Sequence, residues 1–229
     1  MKTIGLIGGM SWESSAEYYR ILNEVVKREL GGLHSARCIL YSVDFDEIER
    51  YQFAGQWDKA GEVMAGAARS LEAAGADCLA ICTNTMHKLV PQVEDASSLP
   101  LLHIAQMTAD QLKLAGISKV GLLGTTFTME QDFYKTTIAS NGIEVIVPDA
   151  DDRRLVNDVI YQELCLGEIK DSSRRAYVEI IDKLASQGAQ GVILGCTEIG
   201  LLVKQADTQV PLFDTTLIHA EGIAQYALS

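Results

Sequence analysis

Lys2-Thr3-Ile4-Gly5-Leu6-Ile7-Gly8 near the start of the chain is echoed past its middle by Lys119-Val120-Gly121-Leu122-Leu123-Gly124, with Gly5 opposite Gly121. Each is a short apolar run closed by glycine, the pattern of a parallel strand buried on both faces. A second pair of stretches repeats as well. Residues 71–75 then Ala76, and 184–188 then Ala189, each read as a helix end, a Gly-Ala turn and an apolar strand. Carried forward without a gap, this register pairs Cys82 with Gly195, Thr83 with Cys196 and Asn84 with Thr197. Beyond each lies a short strand opened by proline, Pro100-Leu101-Leu102 and Pro211-Leu212-Phe213. The repeat predicts an α/β chain of two pseudo-symmetric halves, residues 1–100 completed by 211–229, and residues 101–210. The competing reading is that any two βα units look this much alike.

The stretches between fit the same plan. Residues 12–30 carry apolar side chains at helical spacing, with Ser11 to start the helix and Gly31-Gly32 to stop it. A strand is expected over 38–43, a helix over 57–74 and a strand over 78–82. In the second half, strands are expected over 120–123, 145–147 and 192–194. Apolar residues at 48% and charged ones at 22% are an ordinary globular balance. Nineteen basic against 31 acidic residues give a net charge of −12, a field that repels phosphate backbones and excludes nucleic acid as a partner. A small anionic substrate is still compatible, because local dipoles outweigh global charge at short range. The apolar run at the N-terminus is too short for a signal segment or a membrane span. Five cysteines without a Cys-x-x-Cys pair point to a reduced, cytoplasmic protein with no membrane association. Of these, Cys38, Cys78 and Cys165 read as core.

In open α/β sheets ligands sit beyond the carboxyl ends of the strands. If the halves face each other, Thr83 and Cys196 approach one ligand from opposite sides of the cleft between them. Cys196 ends a strand and precedes a short helix, where backbone N–H groups and the helix dipole would lower its pKa and make it a base or nucleophile. A packed small hydrophobe is the other reading. Asn84 and Thr85 offer polar groups suited to a carboxylate, or else cap the helix that follows. His87, one helical turn beyond Thr83, either orients it or is a surface or capping histidine. Gly124-Thr125-Thr126-Phe127-Thr128 is a second anion cradle or another N-cap. The four histidines lack metal-ligand spacing and no metal is expected. Gly8-Gly9-Met10-Ser11 lacks the dinucleotide glycine pattern, and no lysine stands in a recognisable cofactor context.

Four motifs, in this order and across nearly the whole chain, resemble the aspartate/glutamate racemase family: Gly8-Gly9-Met10-Ser11-Trp12-Glu13-Ser14, Asn84-Thr85-Met86-His87, Gly124-Thr125-Thr126-Phe127-Thr128 and Gly195-Cys196-Thr197-Glu198. The nearest likeness is to its bacterial L-aspartate/glutamate-specific or broad-specificity amino-acid racemases. The resemblance implies Rossmann-like three-layer α/β/α halves with the active site in the cleft between them, no cofactor, an amino-acid substrate and a homodimer. It also implies two thiols on opposite faces of the α-carbon, one removing the proton and the other returning one.

This chain departs from that pattern. Thr83 stands where the family has its first cysteine, and Cys82 is one residue too early. The expectation is that Cys196 removes the α-proton and Thr83 supports reprotonation on the opposite face. The second family thiol faces the L-substrate proton, so L-aspartate or L-glutamate is preferred. Related aspartate racemases hold the distal carboxylate with basic residues. One lies on the helix written here 160–167, where Cys165 stands. The other lies in the loop after the second strand, where Arg50 and Gln52 are the candidates. Gln52 can hydrogen-bond a carboxylate or a neutral side chain. The substrate shell implied is Met10, Gln52, Asn84 and Thr85 in the first half, with Thr125, Thr197 and Glu198 in the second. Two alternatives stand beside this: a single-thiol decarboxylase or isomerase of the same superfamily, and an amino-acid-binding protein without turnover.

Overall fold

Strand β1 (Ile4–Gly8) is buried along its whole length, as a run with no polar side chain requires. Helix α1 (Trp12–Leu30) follows. The Ser11 side chain caps it by accepting from Ser14 N–H, and Gly31 ends it at φ +70°. Next come β2 (Cys38–Ser42), α2 (Phe45–Phe53), α3 (Trp57–Ala73), β3 (Cys78–Ile81), a 3₁₀ turn over Thr85–Leu89 and α4 (Val90–Ala96). The three strands form a parallel sheet in the order β2-β1-β3. Ile7, Leu79 and Ile81 pack on Ile48, Met64, Ala68 and Leu71 from α2 and α3, while Gly8 lies against Ser15 of α1.

The second sheet repeats the plan with one more strand. Its elements are α5 (Ile104–Leu114), β4 (Lys119–Gly124), α6 (Thr126–Glu130), α7 (Asp132–Ala139), β5 (Glu144–Ile146), α8 (Ala150–Gln162), a 3₁₀ turn over Leu164–Leu166, α9 (Asp171–Ser186), β6 (Val192–Gly195), α10 (Ile199–Leu202), β7 (Leu212–Asp214) and α11 (Thr215–Leu228). The sheet is parallel in the order β5-β4-β6-β7. Leu123, Val192 and Leu194 bury one face against α8 and α9. Val120, Leu122 and Ile193 bury the other against α5 and α7. Alternate residues thus face opposite helical layers, which explains why these strands are apolar at every position.

The register bears out the internal repeat. Gly5 pairs with Leu79 in the first sheet, and Gly121 with Val192 in the second. Leu79 bridges to Leu101 as Val192 pairs with Leu212. The two glycines are needed for the same reason. A Cβ on Gly5 would stand 3.0 Å from Leu79 Cδ2, and one on Gly121 would stand 3.1 Å from Val192 Cγ2 and 2.9 Å from Leu184 Cδ1. Gly121→Ala is therefore expected to lower stability by about 1–3 kcal/mol through overpacking, read as a lower urea midpoint with an unchanged slope.

The computed structural model describes all residues, 1–229, and they divide into two units, Met1–His103 with His219–Ser229, and Ile104–Ile218. The boundaries expected at 100/101 and 210/211 therefore move. Leu212–Asp214 hydrogen-bonds to β6 and extends the second sheet, and only residues from His219 onward join the first unit. Pro100-Leu101-Leu102 makes two backbone bonds with Leu79 but amounts to an isolated bridge between Leu79 and Leu101, not a strand. Apolar composition overstated burial at the sheet edges: Leu40 and Tyr41 of β2 are exposed. Cys38 on that edge and Cys165 in the 3₁₀ turn are half-buried rather than core. No helix is long and apolar enough to cross a membrane.

Candidate functional site

The loop from β1 into α1 is shaped by Gly9 and three serines. Gly9 sits at φ +93°, where a Cβ would meet Val43 O at 2.2 Å, so only glycine fits. Its N–H donates to Ser15 Oγ (2.8 Å), and Ser15 O–H donates to Ser11 O (3.0 Å). The Ser14 hydroxyl donates to Cys82 O (3.3 Å), linking this loop to the end of β3. Met10 is buried and packs in the cluster of Ile7, Ile48 and Met86. The opening motif therefore braces two strand ends.

Past β3, Cys82 is fully buried and its thiol is pushed up by burial. Thr83, one residue on, keeps 9% of its surface. Asn84 and Thr85 are buried, and the Asn84 side chain makes no capping bond to the 3₁₀ turn, so the capping alternative is not realised there. The loop expected after the second strand is helix α2. On it Arg50 is exposed and paired with Asp46 (3.0 Å). Gln52 is buried instead, with Nε2 donating to Met86 Sδ at 3.0 Å and Oε1 buried without a partner.

His87 is buried, neither superficial nor a surface cap. Its Nδ1–H donates to Thr83 O at 2.7 Å, since a carbonyl can only accept. Its ring lies 4.7 Å from that of His103 and 5.9 Å from that of His219. His219 Nε2–H donates to Leu102 O (2.7 Å), so its Nδ1 accepts from Tyr18 O–H (2.8 Å). Burial holds all three imidazoles below their usual pKa, His219 down to about 4. In the sequence the histidines show no spacing that would bring them together. Three of them meet within the first unit, which takes His87 and His103 from its leading segment and His219 from the segment that closes it, a closure that no local spacing signals.

In the second unit, Thr125 caps α6 by accepting from Thr128 N–H (3.3 Å), the alternative reading of its motif. Cys196 follows β6 with 8% of its surface accessible. Its Sγ donates to Glu198 Oε2 at 2.9 Å, and Thr197 Oγ1 donates to the same oxygen at 2.9 Å. The first turn of α11 braces this loop. Thr215 O–H donates to Leu194 O (2.8 Å) and Thr216 O–H to Thr197 O (3.4 Å). Asp214 caps that turn through Thr216 N–H and Leu217 N–H.

The expected lowering of the Cys196 pKa is overturned. Burial first, then the Glu198 carboxylate, holds the thiol well above its usual value. Helix α10 spans four residues, too short a dipole to outweigh an adjacent anion. At rest the group is a thiol hydrogen-bonded to a carboxylate, so Glu198 faces the sulfur. Cys165 packs against the core cluster that contains Cys196 and Tyr177.

The two sheets thus end in matching positions, a thiol–carboxylate pair after β6 and a buried hydroxyl after β3. The Asp/Glu/hydantoin racemase family model matches residues 7–223, and the chain belongs to this family. It is 58% identical to a candidate Asp/Glu racemase from Yersinia pestis, whose crystal structure superposes with a TM-score of 0.93 over 100% of both chains. An aspartate racemase homologue from Pyrococcus horikoshii OT3 is 35% identical, with a TM-score of 0.87 and 100% of both chains covered. Among curated proteins, the broad specificity amino-acid racemase RacX of Bacillus subtilis (strain 168) is 23% identical over 96% of this chain and 95% of its own.

Proposed function

We propose that this protein racemises aspartate and glutamate without a cofactor, Cys196 removing the α-proton and Thr83 supporting its return on the opposite face. The observation that carries this reading is the 2.9 Å contact from Cys196 Sγ to Glu198 Oε2. It gives the thiol an acceptor for its proton. The resulting thiolate, held in a buried setting where the charged form is disfavoured, is a stronger base than an ordinary one. In the forward step the Cys196 proton passes to Glu198 and the thiolate takes the α-proton of the L-amino acid. The carbanion then receives a proton from the Thr83 hydroxyl, water returns one to the alkoxide, and Glu198 gives up its proton to the hydroxide so formed, which restores the thiol–carboxylate pair. An alcohol is far less acidic than a thiol, so Thr83 donates to a strongly basic carbanion better than it abstracts. L-substrates are therefore preferred.

Gln52 supports a polar side chain on the substrate. Its amide N–H is bonded to a thioether, a weak acceptor that a carboxylate oxygen would displace, and its unpartnered oxygen favours a ligand that brings a donor. Met10, Asn84 and Thr85, with Thr125 and Thr197, are proposed to complete the shell. A homodimer is also proposed. The edge strand β2 carries no charged or proline residue, and Leu40, Tyr41, Trp12 and Tyr19 are exposed on the same unit. The free thiols suit a cytoplasmic setting.

Wash-out of the α-proton in heavy water tests the mechanism. L-aspartate or L-glutamate should exchange faster than the D-enantiomer. Equal rates would remove the Cys–Thr asymmetry, and ligand binding without any exchange would mark a binding protein instead. Release of carbon dioxide in place of the second enantiomer would mark a decarboxylase.

A further inference from the structure

We propose that His87 is a positioning residue for Thr83, held by a stack of half-buried His103 and buried His219 and Tyr18. The inference rests on the reading of Thr83 given above and adds what orients it. Thr83 stands one residue beyond Cys82, whose N–H donates to Ile7 O at 2.9 Å and makes the last backbone bond from that end to β1. Its carbonyl accepts instead from a side chain four residues on, His87 Nδ1–H at 2.7 Å. Anchoring that carbonyl fixes the peptide plane after Thr83, and with it the direction in which its Cα–Cβ bond leaves the chain.

The stack keeps the donor in place. His103 lies tilted at 58° to the His87 ring, and His219 packs edge-on at 68°. His219 cannot rotate, because Tyr18 O–H holds one ring nitrogen and Leu102 O the other. His87 is itself buried, and the Nδ1 proton is committed to a carbonyl that cannot take it. That nitrogen orients without exchanging protons with a substrate. A misplacement of about 1 Å can lower a rate by about 10²-fold, so an unanchored Thr83 should deliver its proton poorly while the sulfur side works on.

The test separates the two faces of the reaction. Wash-out of the L-substrate α-proton in heavy water reports removal at Cys196, and appearance of the D-enantiomer reports return at Thr83. In His87→Leu, racemisation should fall about 10- to 100-fold while L-side wash-out changes less than about 3-fold. His87→Asn, whose side-chain N–H can take the place of Nδ1–H, should recover most of the loss. Equal losses in both readouts, no loss at all, or failure of the asparagine to recover activity would overturn the positioning role and leave the racemase reading standing. Wild-type protein that exchanges no α-proton would sink both. If the leucine variant does not fold, imidazole nitrogen shifts of the wild type decide. His87 should carry its proton on Nδ1 and not titrate between pH 8 and 5.5, whereas an Nε2–H form or titration in that range overturns the assignment.

Discussion

Cys196→Ala should lower racemase turnover by about three orders of magnitude or more, with little change in stability. The substitution removes the one group in the proposed scheme able to take a proton from carbon. A Thr83 hydroxyl cannot replace it, because its conjugate base lies several pKa units above a thiolate. Only a single sulfur atom leaves the core, so the unfolding free energy should drop by about 1 kcal/mol. The paired variant Glu198→Gln has a more diagnostic signature. The carboxylate beside the sulfur holds the thiol up, so its loss should make Cys196 more acidic and speed alkylation at pH 8 by a few-fold. The same change removes the acceptor for the thiol proton, and kcat should fall about 10²-fold. Faster alkylation with slower turnover separates a proton acceptor from a residue that merely binds substrate. A variant that loses KM alone, with alkylation unchanged, would place Glu198 on the substrate and not on the thiol.

Much of this was legible in the sequence, and the reason is periodicity. Strands buried on both faces must be apolar throughout, so Ile4-Gly5-Leu6-Ile7 and Val120-Gly121-Leu122-Leu123 are visible without a partner. Gly5 and Gly121 mark where a neighbouring strand's side chain presses on the backbone. Once those registers are set, Thr83 and Cys196 fall at equivalent strand ends. Two kinds of information were not local. The burial of the edge strand depends on what lies beside it, so β2 reads like an interior strand although Leu40 and Tyr41 are exposed. The electrostatics of Cys196 depend on side-chain direction. Glu198 turns its carboxylate toward the sulfur, reversing the pKa shift that a strand-to-helix junction suggests. The histidine stack is the extreme case, since Tyr18 and His219 lie 201 positions apart.

That stack makes a measurable claim about stability against pH. The folded protein holds His219 neutral until about pH 4, whereas the unfolded chain takes up the proton near 6.5. Between those values the unfolded state binds more protons, so folding weakens as the pH falls through this window and is unaffected by His219 above it. A gap of about 2.5 pKa units corresponds to about 3 kcal/mol from this residue, and His87, also held below its usual value, acts in the same direction. Carboxylates begin to titrate near the bottom of the window, so the comparison must be made against a variant that shares them. His219→Gln cannot ionise. It should be less stable at pH 7.5, by about 1–3 kcal/mol, because Tyr18 O–H and Leu102 O lose well-placed partners. On moving from pH 7.5 to 4.5, however, the wild type should lose about 3 kcal/mol more than the variant, so the two urea midpoints converge as acid is added. Parallel pH curves would mean that the imidazole is open to water or already charged in the folded state. The Tyr18–His219–Leu102 contact could not then be the buried neutral clamp on which the orientation of His87 depends.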